Sequence, residues 1–485
     1  MVDGQRRAGP HHQGEPRRPR AGQVTPGSGA SRRSRVAGAA ARGAGRLPRP
    51  RGGQPRQPRA RLARCRIAMY SGVMRDTLFA AWSATLDKCS ARRLVAAALA
   101  QRDVGSRCRV LALGKAARGM VDGAREALGD RLVGSFAVAP DGRAVRRGPH
   151  RVELGDHPIP WTRSRAAAER ALAWAAQARA AGEPVIGLVS GGASALCEAP
   201  RPPLDMRDLA ALHRKLVGSG APADEMNAVR RTLSAIKDGR LGAALGATLA
   251  AHLVLADVPS GRAEVVASGP LAAPVGDPAE ALAILDRHRI DGLGAVRSFL
   301  EREIRASSPL DYTPPTAELL ATPASLAEAM AEALGAAGVG PVHTRPATTV
   351  PVHTVAAELV DHLRHGDGAL VVPGEVAIRV PDLVLGGWPL DDTGGRARHL
   401  AASVLARMAR TAPAARWSLL AVASDGRDAA GAAGVLVDQD VDASGVEEAL
   451  DLFASGRFFA ARGVVLPETP PVTNLTDLYV AVRTP

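Results

Sequence analysis

Short apolar runs alternate with longer stretches of helical periodicity along most of this chain. Strand-like runs fall at 108–114, 132–138, 185–190 and 252–258, each nearly continuous in apolar residues and closed by a turn. Apolar residues recur at helical spacing over 75–102, 162–182, 206–218, 226–250 and 279–305. A strand with no polar face is covered on both sides, the condition of a parallel sheet layered between helices. The pattern predicts an α/β chain with a doubly wound sheet, whose ligands belong at the carboxyl ends of the strands. A Pro-rich connector, S-S-P-L-D-Y-T-P-P-T at 307–316, interrupts the rhythm. Beyond it come strands near 368–373, 417–423 and 477–483 with a helix at 397–411, a second and smaller α/β part. The expected division is 69–306 for the first domain, 307–316 for the linker and 317–485 for the second.

Residues 1–68 follow neither period. They hold 17 Arg, no Lys and only Asp3 and Glu15 as acids, a net charge of +15, whereas the whole chain carries +14. The basicity therefore belongs to this extension, and the rest is close to neutral. A segment of Arg, Pro, Gly and Gln buries too little surface to fold, so disorder is expected. It reads as an upstream addition, with translation starting at Met69 or Met74; a nucleic-acid arm and an Arg-rich targeting segment are the alternatives. Nucleic acid is not expected as a partner elsewhere. The longest apolar stretch, around 243–256, contains His252 and is too short to span a bilayer, so no membrane association is expected. Cys65, Cys89, Cys108 and Cys197 show no paired spacing, which argues against a disulfide framework or zinc site and for a reducing cytoplasm.

Lysine occurs four times among the 62 basic residues, as Lys88, Lys115, Lys215 and Lys237. Where arginine serves so widely, a retained lysine points to a task for a compact ammonium. Lys115 and Lys237 stand in Gly-bearing segments and are the candidates. The run V-I-G-L-V-S-G-G-A-S-A-L, 185–196, ends a buried strand in a Ser-Gly-Gly turn. Ser190, Gly191, Gly192 and Ser194 there suit an anion, since glycines admit a close ligand and hydroxyl and N–H groups face it. A tight packing turn is the rival reading. Asp257 ends another apolar strand as a metal or hydroxyl partner, with buried capping as its alternative. Asp425 and Asp428 end a third, where hydrated Mg²⁺ or a ribose would be held. G-x-G-x-x-G, G-x-x-x-x-G-K-[ST] and H-E-x-x-H are absent, and G-A-S-A around Ser194 is no nucleophile elbow. Dinucleotide, P-loop, zinc-protease and serine-hydrolase chemistry lose support accordingly.

The order of these segments resembles the glycerate 2-kinase family, whose C-terminal part is called the MOFRL domain and whose members were formerly labelled hydroxypyruvate reductases. The resemblance runs from about 74 to 482. Its pieces are L-A-L-G-K-A-A (111–117), G-D-H-P-I-P (155–160), L-V-S-G-G-A-S-A-L-C-E-A-P (188–200) and M-N-A-V-R-R-T-L-S-A-I-K-D-G-R-L (226–241). L-A-D-V-P-S through V-V-A-S-G-P (255–270), P-G-E (373–375), T-G-G-R (393–396), S-D-G-R-D (424–428) and T-N-L-T-D-L (473–478) complete it. Each piece is weak alone, and nine in order are specific.

The resemblance implies ATP, a divalent metal such as Mg²⁺ and D-glycerate or a similar 2-hydroxy acid, meeting in a cleft between two α/β domains. It implies Lys115 and Arg396 as catalytic; Asp257 and Asp425, from their places at strand ends, are the metal candidates. Phosphoryl transfer needs charge neutralised on phosphate oxygens, which a mobile ammonium and a bidentate guanidinium supply. Lys237 on a helix with Asn227 and Arg230 would reach the same cleft, a helix-end lysine before Gly239 being its rival. Glu375 and Asn474 are weaker binding candidates, and His157 reads as structural. A homodimer is left open. The chain departs from the family pattern at Ser260-Gly261-Arg262, Ala397-Arg398-His399 and Val472, losing acids and amides at strand tips. Those losses keep in play a relative with a changed acceptor or no activity; the old family label adds an NAD(P)H-dependent hydroxypyruvate reductase, which the missing dinucleotide fingerprint disfavours.

Overall fold

The computed structural model describes residues 72–484, apart from 141, 220, 307–309, 379–393, 412–414 and 430. Expectations for 1–68 and for Thr393 lie outside these residues. The strands are β1 (Cys108–Leu113), β2 (Leu132–Ala139), β3 (Val145–Arg147), β4 (His150–Leu154), β5 (Val185–Ser190), β6 (Leu249–Leu255) and β7 (Ala317–Ala321), which form one sheet in the order β3-β4-β2-β1-β5-β6-β7. All neighbours in it are parallel except β3 and β4. A second sheet holds β8 (Val342–Thr344), β9 (Gly368–Pro373), β10 (Arg416–Ala423), β11 (Ala432–Asp438), β12 (Val465–Pro467) and β13 (Asp477–Thr484), in the order β12-β11-β10-β13-β9-β8. Its pairs are antiparallel except β8 and β9.

Alternation along the strands shows how the layers join. In β13, Leu478, Val480 and Val482 face one core, and Tyr479 and Ala481 face the other. The first of these cores also contains Leu78, Trp82, Val95, Met120 and Met330 from flanking helices together with Val110, Leu188 and Leu253 of the first sheet. One helical layer is thus shared by both sheets. The opposite face of the first sheet packs on helix Thr162–Ala181, where Ala167, Ala171, Trp174 and Ala178 recur at helical spacing.

Three expectations change. The helix foreseen at 75–102 is two, Val73–Lys88 and Ala91–Ala100. The helix foreseen at 226–250 ends at Leu233, because the Ser234 hydroxyl accepts from the N–H groups of Ile236 and Lys237 and turns the chain out of register. It resumes only at Arg240, after Asp238 and Gly239 at positive φ. The linker at 307–316 does not end the first sheet either: Ala317–Ala321, assigned above to the second domain, pairs with β6 as its edge strand. A feature the periodicity did not reveal is a helical cap with its own core. Leu212 and Leu216, Val229 and Leu233, and Ile284, Leu285, Phe299 and Leu300 pack together there.

Candidate active site

From β1 the chain goes to β2 and β4 on one side, and later returns through β5, β6 and β7 on the other. The β1/β5 boundary is therefore the topological switch point, and its crevice opens at the carboxyl ends. Gly114-Lys115 and Ser190-Gly191-Gly192 leave those two ends. Lys115 N–H donates to the Gly191 carbonyl at 2.9 Å. The Ser190 hydroxyl accepts from Ala116 N–H at 3.1 Å and donates to the Leu113 carbonyl at 3.4 Å. Ser190 is fully buried and ties two strand tips together. A Cβ on Gly191 would lie 1.5 Å from Asp257 Oδ2 and 2.4 Å from Asn474 Nδ2, so only glycine lets these tips converge.

Two cavities meet at this edge. The larger, about 890 Å³, is lined by Lys115, Glu375, Arg396, His399, Asp425 and Arg427 among others. The smaller, about 190 Å³, lies under the helical cap and includes Gly192, Ser194, Glu198, His213, Arg230 and Lys237 in its wall. His157 and Pro158 line both.

Opposite charges are closely paired in the larger cavity. Lys115 Nζ is 2.7 Å from Asp425 Oδ2. Burial works against the Lys115 charge, but Asp425, with Glu375 and Asp257 behind it, holds the ammonium above its usual value. Arg396 Nη2 is 2.8 Å from Glu375 Oε2, and its Nε is 3.3 Å from Asp477 Oδ2. Burial pushes the Asp477 carboxyl up, against the pull of Arg396. The Tyr479 hydroxyl donates to that same carboxylate at 3.3 Å. Burial, with Lys115 alongside, brings His157 down to about 4 and keeps it neutral near pH 7.

Not every foreseen residue reaches a cavity. Lys115, Arg396, Glu375 and Asp425 gather at the larger one, and Gly192, Ser194, Arg230 and Lys237 at the smaller. Ser190, Gly191, Asn227, Asp257 and Asn474 line neither. Asn474 donates to Asp257 at 3.4 Å, and the Asn227 carbonyl accepts from Arg231 Nε. Lys237 is not on the helix of Asn227 and Arg230; it follows the Ser234 turn and forms a buried ion pair with Glu198. Burial draws its ammonium down to about 7. Asp428 caps helix Arg396–Ala409, accepting from the N–H groups of Ala397 at 2.7 Å and Arg398 at 3.1 Å, and pairs with Arg398 Nε at 2.9 Å. A carboxylate so engaged is not free for a metal or ribose. Arg262 pairs with Glu264 at 2.7 Å on a separate groove with His252 and Pro314, so the altered 260–262 turn lies off both cavities.

Sequence reasoning missed Asp477, Glu198 and His213. Asp477 and Glu198 lay inside quoted segments without an assigned role, whereas nothing local marks His213. Among the described residues, no three His, Cys, Asp or Glu side chains converge to hold a metal. Mg²⁺ commonly takes one or two carboxylates and completes its shell with water and phosphate. Asp257 and Asp425, both within electrostatic reach of Lys115, suit that mode. Asp257 is half-buried with its carboxyl pushed up to about 6, chiefly by burial, and a nearby cation would relieve it. No helix among the described residues is long and apolar enough to cross a membrane.

Residues 77–301 match a family model described as a domain of unknown function, DUF4147. A protein from Agrobacterium vitis named hydroxypyruvate reductase is 30% identical over 432 residues, covering 86% of this chain and 96% of that one. The D-glycerate 2-kinase of Thermotoga maritima is 30% identical over 197 residues, 40% of this chain and 46% of that protein. The crystal structure of a glycerate kinase from Thermotoga maritima superposes with a TM-score of 0.69 at 23% identity, over 85% of this chain and 99% of that one, a likeness of fold. The alignment along nearly the whole of one relative, with the matching segment order and the common fold, shows that the chain belongs to the glycerate 2-kinase family.

Proposed function

We propose that this protein is a kinase that transfers phosphate from ATP to the 2-hydroxyl of D-glycerate. The carrying observation is that Lys115, just past β1 of the first sheet, and Arg396, at the start of helix Arg396–Ala409, line one cavity that shares its His157-Pro158 wall with a much smaller one. A large charged cleft beside a small pocket suits a nucleotide next to a small acid. Relatives named glycerate kinase support this class of reaction.

In this reading the triphosphate occupies the larger cavity and the acid the smaller, with its carboxylate toward Arg230. Lys115 follows charge from the bridging oxygen to the transferred group, and Arg396, oriented by Asp477, steadies the equatorial oxygens. The hydroxyl oxygen bonds to the γ-phosphorus as the bond to the β–γ bridging oxygen breaks, and ADP leaves. His157, neutral at the shared wall, can accept the hydroxyl proton. Mg²⁺ held by Asp257 and Asp425 would neutralise phosphate charge. Phosphorus NMR of the full-length protein with D-glycerate, ATP and Mg²⁺ tests the proposal. A 2-phosphoglycerate resonance growing with ADP is expected; NAD(P)H oxidation with hydroxypyruvate and no phosphoryl transfer would refute it.

A further inference from the structure

The small pocket contains a guanidinium without a counter-ion among the described residues. Arg230 lies on helix Ala223–Leu233, and its Nη2 is 2.7 Å from His213 Nδ1 on helix Met206–Gly218. Its Nε is buried with no hydrogen-bond partner among the described residues. Among the described residues no carboxylate lies within ion-pair distance of it, and no charged group offsets the burial that lowers its proton affinity. Its neighbours in the cap differ: Arg201 pairs with Glu303, Arg240 with Asp238 and Arg287 with Glu225. An uncompensated buried charge is costly, and a neutral acceptor offsets only part of that cost.

We propose that His213 is the positioning residue of the acceptor site: as a neutral acceptor it fixes the Arg230 fork toward the pocket and leaves its charge unspent for a substrate carboxylate. This rests on the acceptor-pocket reading above for location, but not on the phosphoryl-transfer chemistry. Burial and the cations Arg230 and Arg214 hold the imidazole at about 4, so it is neutral near pH 7. Nδ1 therefore accepts, and the ring proton sits on Nε2. A carboxylate at the same place would orient Arg230 equally well, yet it would neutralise the guanidinium and repel an incoming acid. A purely apolar residue would leave the guanidinium unheld. The pocket's volume of about 190 Å³ confines the ligand to a small acid.

The test uses two near-isosteric substitutions that differ in charge, His213→Asn and His213→Asp, and an apolar third, His213→Leu. D-glycerate binding to the full-length protein is measured by calorimetry without nucleotide, and ATP binding is measured separately. His213→Asn supplies an amide oxygen near the Nδ1 position and should keep acid affinity within ~3-fold. His213→Asp should weaken it at least ~30-fold, and His213→Leu roughly 10-fold, the range spanned by charge-assisted hydrogen bonds. ATP affinity should stay unchanged in all three. A structural role alone would move Asn and Asp together, so equal acid affinities in those two variants overturn the proposal. Wild-type protein that binds ATP but not D-glycerate also overturns it. Acid binding that follows the predicted series without any phosphoryl transfer would sustain it and sink the kinase reading instead.

Discussion

Replacing Lys115 by arginine asks whether charge alone or its position matters. The ammonium sits 2.7 Å from Asp425, and its side chain is about one-fifth exposed. Its stem lies against Gly192, where an added Cβ would come within 2.9 Å of Lys115 Cγ. Gly192 itself holds φ at 81°, so the turn leaves little freedom to yield. A guanidinium is longer, planar and wider, and must extend past the point the ammonium occupies. Lys115→Arg keeps the pairing with Asp425, so folding stability should change by less than about 1 kcal/mol. Turnover should fall at least ~100-fold, about 2.7 kcal/mol of transition-state stabilisation. Nucleotide affinity should move much less, because uniform binding does not require the lysine to follow charge. ADP release with D-glycerate as acceptor gives kcat, and calorimetry gives the nucleotide affinity. Near wild-type turnover in this variant would make Lys115 an ordinary turn residue and remove the chemical basis of the proposed transfer.

His252 is buried in β6 with neither ring nitrogen partnered among the described residues, and burial lowers it to about 4. Between that value and its unfolded value near 6.5 the unfolded chain binds the extra proton, so stability is full above pH 6.5 and lost as pH falls toward 4. His252→Leu should therefore gain about 2 kcal/mol more at pH 5 than at pH 7.5 in urea unfolding; an equal effect at both pH values would contradict this. Asp428→Asn leaves the buried Arg398 without its charge partner and weakens the cap of the helix that carries Arg396. It should cost roughly 3–5 kcal/mol and depress turnover, with much of the stability restored by adding Arg398→Met, whereas a loss under about 1 kcal/mol would refute the buried-pair account.

The sheet was legible because β1, β2, β5 and β6 are buried on both faces and read as near-continuous apolar runs. The strand tips followed from the same runs, which is how Lys115, Gly192 and Asp257 were found. Where sequence reasoning failed, a local hydrogen bond or a distant partner decided the outcome. The Ser234 hydroxyl ends a helix that periodicity alone continues to 250. Asp428 and Arg398 are 30 residues apart and become cap and counter-ion only once β10 meets helix Arg396–Ala409. His213 orients Arg230 from another helix, a relation without any fixed spacing. Of the departures from the family pattern, Arg262 faces a different groove and the Val472 carbonyl accepts from Ala91 N–H. His399 does line the larger cavity, stacked on Phe453 at 5.2 Å.

The charge balance of the larger cavity bears on metal dependence. Its described lining carries Lys115, Arg396 and Arg427 against Glu375, Asp425, Asp428 and Glu468. Each of those cations already has a carboxylate: Asp425 for Lys115, Glu375 and Asp477 for Arg396, and Glu468 for Arg427. A triphosphate entering alone would meet a site whose positive charge is spent, and would have to displace Glu375, the most exposed of the carboxylates paired to Lys115 and Arg396. A divalent cation brings charge with the nucleotide and leaves the Arg396 and Arg427 pairs in place, with Asp425 shared between Lys115 and the metal. Chelation should therefore weaken ATP binding at least ~30-fold, about 2 kcal/mol. Glu375→Gln frees Arg396 from one partner, so it should recover part of the metal-free affinity while changing the metal-bound affinity less. Metal-free ATP that binds wild-type protein as tightly as the metal complex would show that the pairs open without a cation.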